Sequence, residues 1–197
     1  MIAIEGIDGA GKTTQAERLR STLTEQGYDA VVFHEPTTGE WGRKIAALGM
    51  NGRGLEVDEE FKYFYEDRKE DVARNINPAL QKKQLVIMDR YYFSNMAYQG
   101  ERGLDSAEIE KANLDFSPKP TLIILLEIPA KEAMQRIKRY RNGPKNHFEE
   151  RLSRVGKMFR RISKNRRDVK KVDATKPLES VNSTILSLVR PILKELE

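Results

Sequence analysis

The stretch Gly6-Ile7-Asp8-Gly9-Ala10-Gly11-Lys12-Thr13 fits G-x-x-x-x-G-K-[ST] without a gap. No other feature of the chain restricts its fold as much. "MIAIE" before it reads as a short apolar strand, and residues 11 to 26 carry a helical pattern that Gly27 ends. A strand, a glycine loop and a helix in that order form a phosphate cradle. The glycines let backbone N–H groups curl around phosphate oxygens, and the helix start near Gly11 adds its positive end. Lys12 is placed to reach β- and γ-phosphates, and Thr13 to ligate Mg²⁺. Gly6, Asp8, Gly9, Ala10, Gly11, Lys12, Thr13 and Thr14 are the candidate nucleotide-phosphate residues.

The rest of the chain alternates strands and helices. "DAVVF" (29–33), "QLVIMD" (84–89) and "TLIILLEI" (121–128) read as strands, with "VKKVD" (169–173) a weaker fifth. Asp58 is the expected cap of a long helix to about Lys82, which Pro78 kinks or shortens, and residues 177–196 form a closing amphipathic helix. Alternation of this kind predicts an α/β chain with the P-loop NTPase fold: a five-stranded parallel sheet covered by helices on both faces. Residues 1–197 read as a single domain. "RNGPKN" (141–146) lies between two basic helical patterns, so it reads as the tip of a mobile basic lid over about 136–151.

Charge and composition narrow the function. The net charge is +5, but residues 131–171 hold 16 Lys/Arg against 4 Asp/Glu, a local +12 that leaves −7 for the remainder. Such a segment serves either nucleic acid or a small-molecule site that gathers several phosphates. The chain has no cysteine, which removes disulfides, thiolate metal sites and a cysteine nucleophile. It has no apolar run of membrane-spanning length, and a phosphate loop starting at Gly6 leaves no room for a leader, so a cytoplasmic protein is expected. The N-K-x-D signature of GTPases is absent. A kinase of small molecules is the leading class, ahead of a nucleic-acid-binding ATPase that would use the basic segment.

Three stretches bear on the acceptor. In "FKYFYEDRKE" (61–70), Phe61, Phe64, Tyr65 and Arg68 share one helix face; they either sandwich a flat polar ring or form a core stripe ending in an arginine. In "MDRYYFSNMAYQG" (88–100), Asp89 ends an apolar strand where parallel sheets build their sites, and Arg90 can grip a phosphate through two hydrogen bonds. Ser94, Asn95, Tyr98 and Gln99 follow, either as ligands or as the solvated face of a helix. In "HEPTTGEWGRKI" (34–45), Glu35, Pro36 and Arg43 line a loop and a helix start, with Arg43 either a ligand or an ordinary surface arginine.

The order and spacing of "EGIDGAGKTTQ", "EP", "FYEDR", "DRY", "S-N-x-A-Y-Q", the basic lid and "VDAT" resemble the thymidylate kinase family over nearly the whole chain. The resemblance implies transfer of a phosphoryl group from ATP to dTMP with Mg²⁺, in a homodimer, with no role for nucleic acid or membrane. It implies that Asp8 bonds the acceptor's 3′-hydroxyl, Phe64 stacks on thymine, Arg68 donates to O4, and Asn95 bonds N3 with Ser94 nearby. Tyr98 would crowd a ribose hydroxyl, Arg90 would hold the acceptor phosphate, and Asp89 would organise Mg²⁺. Asp173, Ala174 and Thr175 would border adenine, with Arg136 on its other face.

The resemblance also assigns the lid. Some members carry a basic residue after the phosphate-loop aspartate. Gly9 stands there instead, so lid cations are expected to serve: Arg139 and Arg141 first, then Lys145 and Arg151. Glu149 matches a carboxylate near the metal. Ala46 occupies the usual place of a second phosphate-binding arginine, which makes Arg43, one turn earlier, the substitute.

Overall fold

Continuous apolar runs leave a strand no solvent face, so such strands must lie inside a sheet with helices over both sides. The computed structural model, which describes residues 1–51, 55–140 and 151–194, has this sheet. Strands β1 (Ile2–Glu5), β2 (Ala30–His34), β3 (Leu85–Asp89), β4 (Leu122–Glu127) and β5 (Val169–Asp173) run parallel in the order β2-β3-β1-β4-β5. All of β1 and β3 and residues 122–126 of β4 are buried. The edge strand β5 buries Val169 and Val172 but exposes Lys170 and Lys171, which explains its weaker signal in the sequence.

Helix α1 (Lys12–Glu25) lies on β1, β2 and β3 and packs against the closing helix α9 (Leu178–Lys194), which also meets β5. Helix α5 (Tyr92–Glu101) packs with α3 (Val57–Asp71), α6 (Ser106–Leu114) and α8 (Leu152–Ile162). Helix α2 (Glu40–Asn51) packs on α3, and α7 (Ala130–Tyr140) touches α8. The chain moves from β1 to one side of the sheet and then to the other. β1 is therefore the point where the strand order reverses, and a parallel sheet opens its crevice at the carboxyl ends around such a strand.

The helix expected from Asp58 to about Lys82 is built differently. α3 begins after Glu56, whose side chain makes no cap bond, and Asp58, Glu59 and Glu60 fill the first turn. Acids there complement the exposed N–H groups without capping them. The helix then widens into a π turn over Val72–Ile76 before α4 (Asn77–Gln81). Pro78 supplies the reason: it has no N–H, and its ring would strike the carbonyl of Arg74 in a regular α turn. Across the wider turn the N–H of Asn77 bonds the carbonyl of Val72, five residues back.

The first turns of α7 cover the phosphate loop. A Cβ on Gly9 would lie 2.4 Å from the backbone oxygen of Ala133, and Gly9 has a φ of +79°. The loop therefore has no room for a side chain at this position, and a cation must come from elsewhere. Left-handed backbone costs a non-glycine residue ~1–2 kcal/mol even without the collision. Gly9→Ala is expected to weaken ATP binding by at least about 10-fold, measured by calorimetric titration.

Candidate active site

The sheet register brings Glu5, the phosphate loop and Asp89 to one edge, since Ile4 pairs with Asp89 and Glu5 with Leu125. Gly11, which precedes α1, is left-handed at φ +93°. Lys12 is buried, with Nζ donating to the carbonyl of Ile7 at 2.9 Å and lying 3.9 Å from Asp8 Oδ1. Burial lowers the pKa of this ammonium, while Asp89 and Glu5 pull it upward. Thr13 Oγ1 donates to Asp89 Oδ2 at 2.5 Å. Asp89 Oδ1 is buried with no hydrogen-bond partner among the described residues. A hydroxyl beside a carboxylate with one unmatched oxygen fits a hydrated Mg²⁺ that arrives on nucleotide phosphates. Among the described residues no three acidic or imidazole groups form a cage for a metal alone.

Arg90 turns the chain from β3 into α5. Its φ is +71°, and its N–H donates to the carbonyl of Ile4 at 3.0 Å. Its guanidinium pairs with Asp8 and lies 5.6 Å over the ring of Tyr98. The structure thus gathers Asp8, Lys12, Thr13, Asp89, Arg90 and Tyr98 at one place.

Behind them is a charge the sequence reading missed. Glu5 is fully buried and accepts the N–H groups of Tyr91 at 2.8 Å and Ser94 at 3.3 Å, with the Ser94 hydroxyl at 2.5 Å. Ser94, expected beside a base, is held inward by this carboxylate. The available signal was an acid ending an otherwise apolar strand, Ile2–Glu5.

On α3, Arg68 is 1% exposed. Nε and Nη2 fork onto Glu35, and Nη1 donates to Asn95 Oδ1 and Asn113 Oδ1 at 2.6 Å each. Burial raises the Glu35 pKa against the pull of Arg68. Asn95 Nδ2 donates to Gln99 Oε1 at 3.1 Å, and Gln99 Nε2 to Glu60 Oε1 at 2.8 Å. Gln99 is fully buried in this relay rather than presented to a cleft. Phe64 is half-buried, and Phe61, Tyr65 and Phe116 form an aromatic cluster. Of Glu60 and Asn113 the sequence carried no sign, because their partners are distant in the chain.

Other expected residues sit apart. Arg43 is exposed and donates to the carbonyl of Thr38 at 2.9 Å, and Pro36 follows a cis peptide. Asp173 accepts the N–H and hydroxyl of Thr175, while the N–H of buried Ala174 bonds the carbonyl of Glu127. Arg136 pairs with Glu132 on α7, and both line a groove with Lys131, Gln135 and exposed Arg139. Arg151, expected over the phosphates, is buried against Glu101 at 3.1 Å and Glu60 at 3.8 Å. Arg141, Lys145 and Glu149 lie outside the described residues.

A family model described as thymidylate kinase matches residues 4–185. A probable thymidylate kinase of Archaeoglobus fulgidus is 40% identical over 195 residues, covering 98% of this chain and 96% of that protein. A thymidylate kinase of Desulfotalea psychrophila is 37% identical over 196 residues, with 98% and 96% coverage. A probable thymidylate kinase of Pyrococcus abyssi is 36% identical over 197 residues, with 96% and 95% coverage.

Burial raises the Glu5 carboxyl to about 7, against bonds from Ser94 and Tyr91 and the charges of Arg90 and Lys12. The folded state therefore holds this proton to higher pH than the unfolded chain does. Ionisation of Glu5 penalises folding as pH rises from 4.5 toward 7, by on the order of 3 kcal/mol. Urea unfolding at several pH values is expected to show wild type losing stability relative to Glu5→Gln across that window, and no further change above it.

Proposed function

The chain belongs to the thymidylate kinase family, and from that premise we propose how its site transfers the γ-phosphate of ATP to dTMP, giving dTDP and ADP. The observation that carries the reading is the pairing of Arg90 with Asp8, which sets a phosphate-gripping arginine against the phosphate loop. Arg90 passes from Asp8 to the acceptor phosphate, and Asp8 is then released to accept from the sugar 3′-hydroxyl. Lys12 leaves the Ile7 carbonyl for the β- and γ-phosphates of ATP. The acceptor phosphate oxygen attacks the γ-phosphorus in line, and the bridging oxygen departs on ADP with the bonding pair. The acceptor phosphate is already ionised near neutral pH, so no side chain needs to remove a proton. The rate comes from positioning and from cations facing the developing charge.

Thr13 and Asp89 would hold Mg²⁺, which when bound supplies charge neutralisation to the donor phosphates. Arg139 and Arg141 of the lid, Arg136 and residues 173–175 around adenine, and Arg43 near the acceptor complete the proposed set. Asn95 and Tyr98 face the nucleoside, while Ser94 and Gln99 support them from within α5. Arg68 has five N–H groups, and four are engaged by Glu35, Asn95 and Asn113. The fifth, on Nη2, is the donor for thymine O4; cytosine would meet it with an amino group. The relay from Glu60 through Gln99 fixes Asn95 with its oxygen toward Arg68, and the second lone pair of that oxygen is the acceptor for thymine N3–H. We place the enzyme in the cytoplasm as a homodimer and give its basic segment to nucleotide phosphates rather than nucleic acid. Among the described residues no helix is long and apolar enough to cross a membrane.

The test is ADP and product formation from ATP and Mg²⁺ with dTMP, dUMP, UMP, dCMP, AMP, dGMP or no acceptor. dTMP is expected to exceed dCMP and the acceptor-free reaction by at least about 100-fold, and EDTA to abolish turnover. Inert acceptors with ADP release stimulated by DNA or RNA would overturn the reading.

A further inference from the structure

Glu5 sits between two halves of the reaction. It is the last residue of β1, so the phosphate loop begins at the next residue. Its carboxylate accepts from Tyr91 N–H, Ser94 N–H and Ser94 Oγ. Tyr91 is the N-cap of α5, and its own side chain makes no cap bond. The first amides of a helix have no partner inside it and need an acceptor from outside. Glu5 is that acceptor for Tyr91 N–H, supplied from another element and 86 residues away in the chain, and it shares Ser94 N–H with the carbonyl of Tyr91. α5 carries Asn95 and Tyr98, and Arg90 stands directly before its N-cap. One carboxylate therefore ties the element that holds the donor to the element that holds the acceptor.

We propose that Glu5 is a positioning residue for phosphoryl transfer, setting how the acceptor phosphate on Arg90 lies relative to the γ-phosphate on the loop. The inference rests on the dTMP kinase reading of the site. It differs from a role through charge, although the cations Lys12 and Arg90 are close enough to act on Glu5. Anchoring depends on reach: Glu5→Gln keeps the length and an oxygen for the two backbone N–H groups, whereas Glu5→Asp keeps the charge but withdraws the carboxylate by roughly one C–C bond, ~1.5 Å. A misplacement of that size costs about 100-fold in rate when it falls on reacting groups.

The experiment compares wild type, Glu5→Gln, Glu5→Asp and Ser94→Ala, each checked by circular dichroism. It measures both dTDP and ADP, with kcat and KM for ATP and dTMP. For Glu5→Asp, kcat is expected to fall about 100-fold with KM for ATP within about 3-fold, and ADP to exceed dTDP because water competes with a misplaced acceptor. Glu5→Gln is expected to stay within about 10-fold of wild type. Larger loss in Glu5→Gln than in Glu5→Asp would assign the effect to charge and overturn the proposal. So would a Glu5→Asp kcat within about 3-fold of wild type. If Glu5→Asp does not fold, Ser94→Ala decides, since it removes one arm of the anchor: excess ADP over dTDP supports the proposal, and wild-type coupling overturns it. A wild type inert toward dTMP would fail the site reading itself and take this inference with it.

Discussion

The parallel pairing of β1 with β3, in register Ile4 to Asp89, is the constraint on which the site depends. It sets the exit of β1, where the phosphate loop starts, beside the exit of β3, where Asp89 and Arg90 follow. A shift of one residue would turn every β1 side chain to the other face of the sheet and carry Glu5 away from α5. The backbone bond from Arg90 N–H to the Ile4 carbonyl extends this pairing one residue past β3 and holds Arg90 in its left-handed turn. The phosphate loop and the Asp89–Arg90 turn are thus placed by sheet hydrogen bonds between buried strands, which is stiffer than placement by loops.

Around that edge the protein buries charge, and burial makes charge expensive unless it is paired and hydrogen-bonded. The pairings are close. Lys12 has Ile7 and Asp8, Arg68 has Glu35 and two amide oxygens, and Glu60 has Arg102 and Gln99. Glu5 has three donors and, among the described residues, no ion pair, and burial raises its pKa. Those three donors hold the carboxylate against the start of α5.

Hydrogen-bonding polarity around Asn95 follows from charges at both ends of one chain of groups. Glu60 only accepts when ionised, so Gln99 must turn its NH₂ toward it, and Gln99 Oε1 then accepts from Asn95. Arg68 only donates, so Asn95 and Asn113 turn oxygens toward it, and Asn113 Nδ2 is held on the carbonyl of Ile109. The two ends agree, so the amides have one orientation.

Much of this was legible in the chain. The five strands lie within a residue or so of the stretches read as strands, most plainly β1, β3 and β4, because buried strands covered on both faces are written as unbroken hydrophobic stretches. The phosphate cradle was equally plain, since its eight residues are consecutive and its chemistry is local. Local rules misread the start of α3, where Asp58 enters the first turn, and could not foresee that Pro78 would be absorbed by a π turn. Residue types alone singled out Lys12 and Arg90 for phosphate and Thr13 and Asp89 for Mg²⁺. Only the tertiary structure decided which acid serves which base: Asp8 with Arg90 across 82 residues, Glu35 with Arg68 across 33, Glu5 with the start of α5 across 86. Those partners are chosen by strand register and by the need to satisfy every buried charge, and neither exists until the sheet has formed.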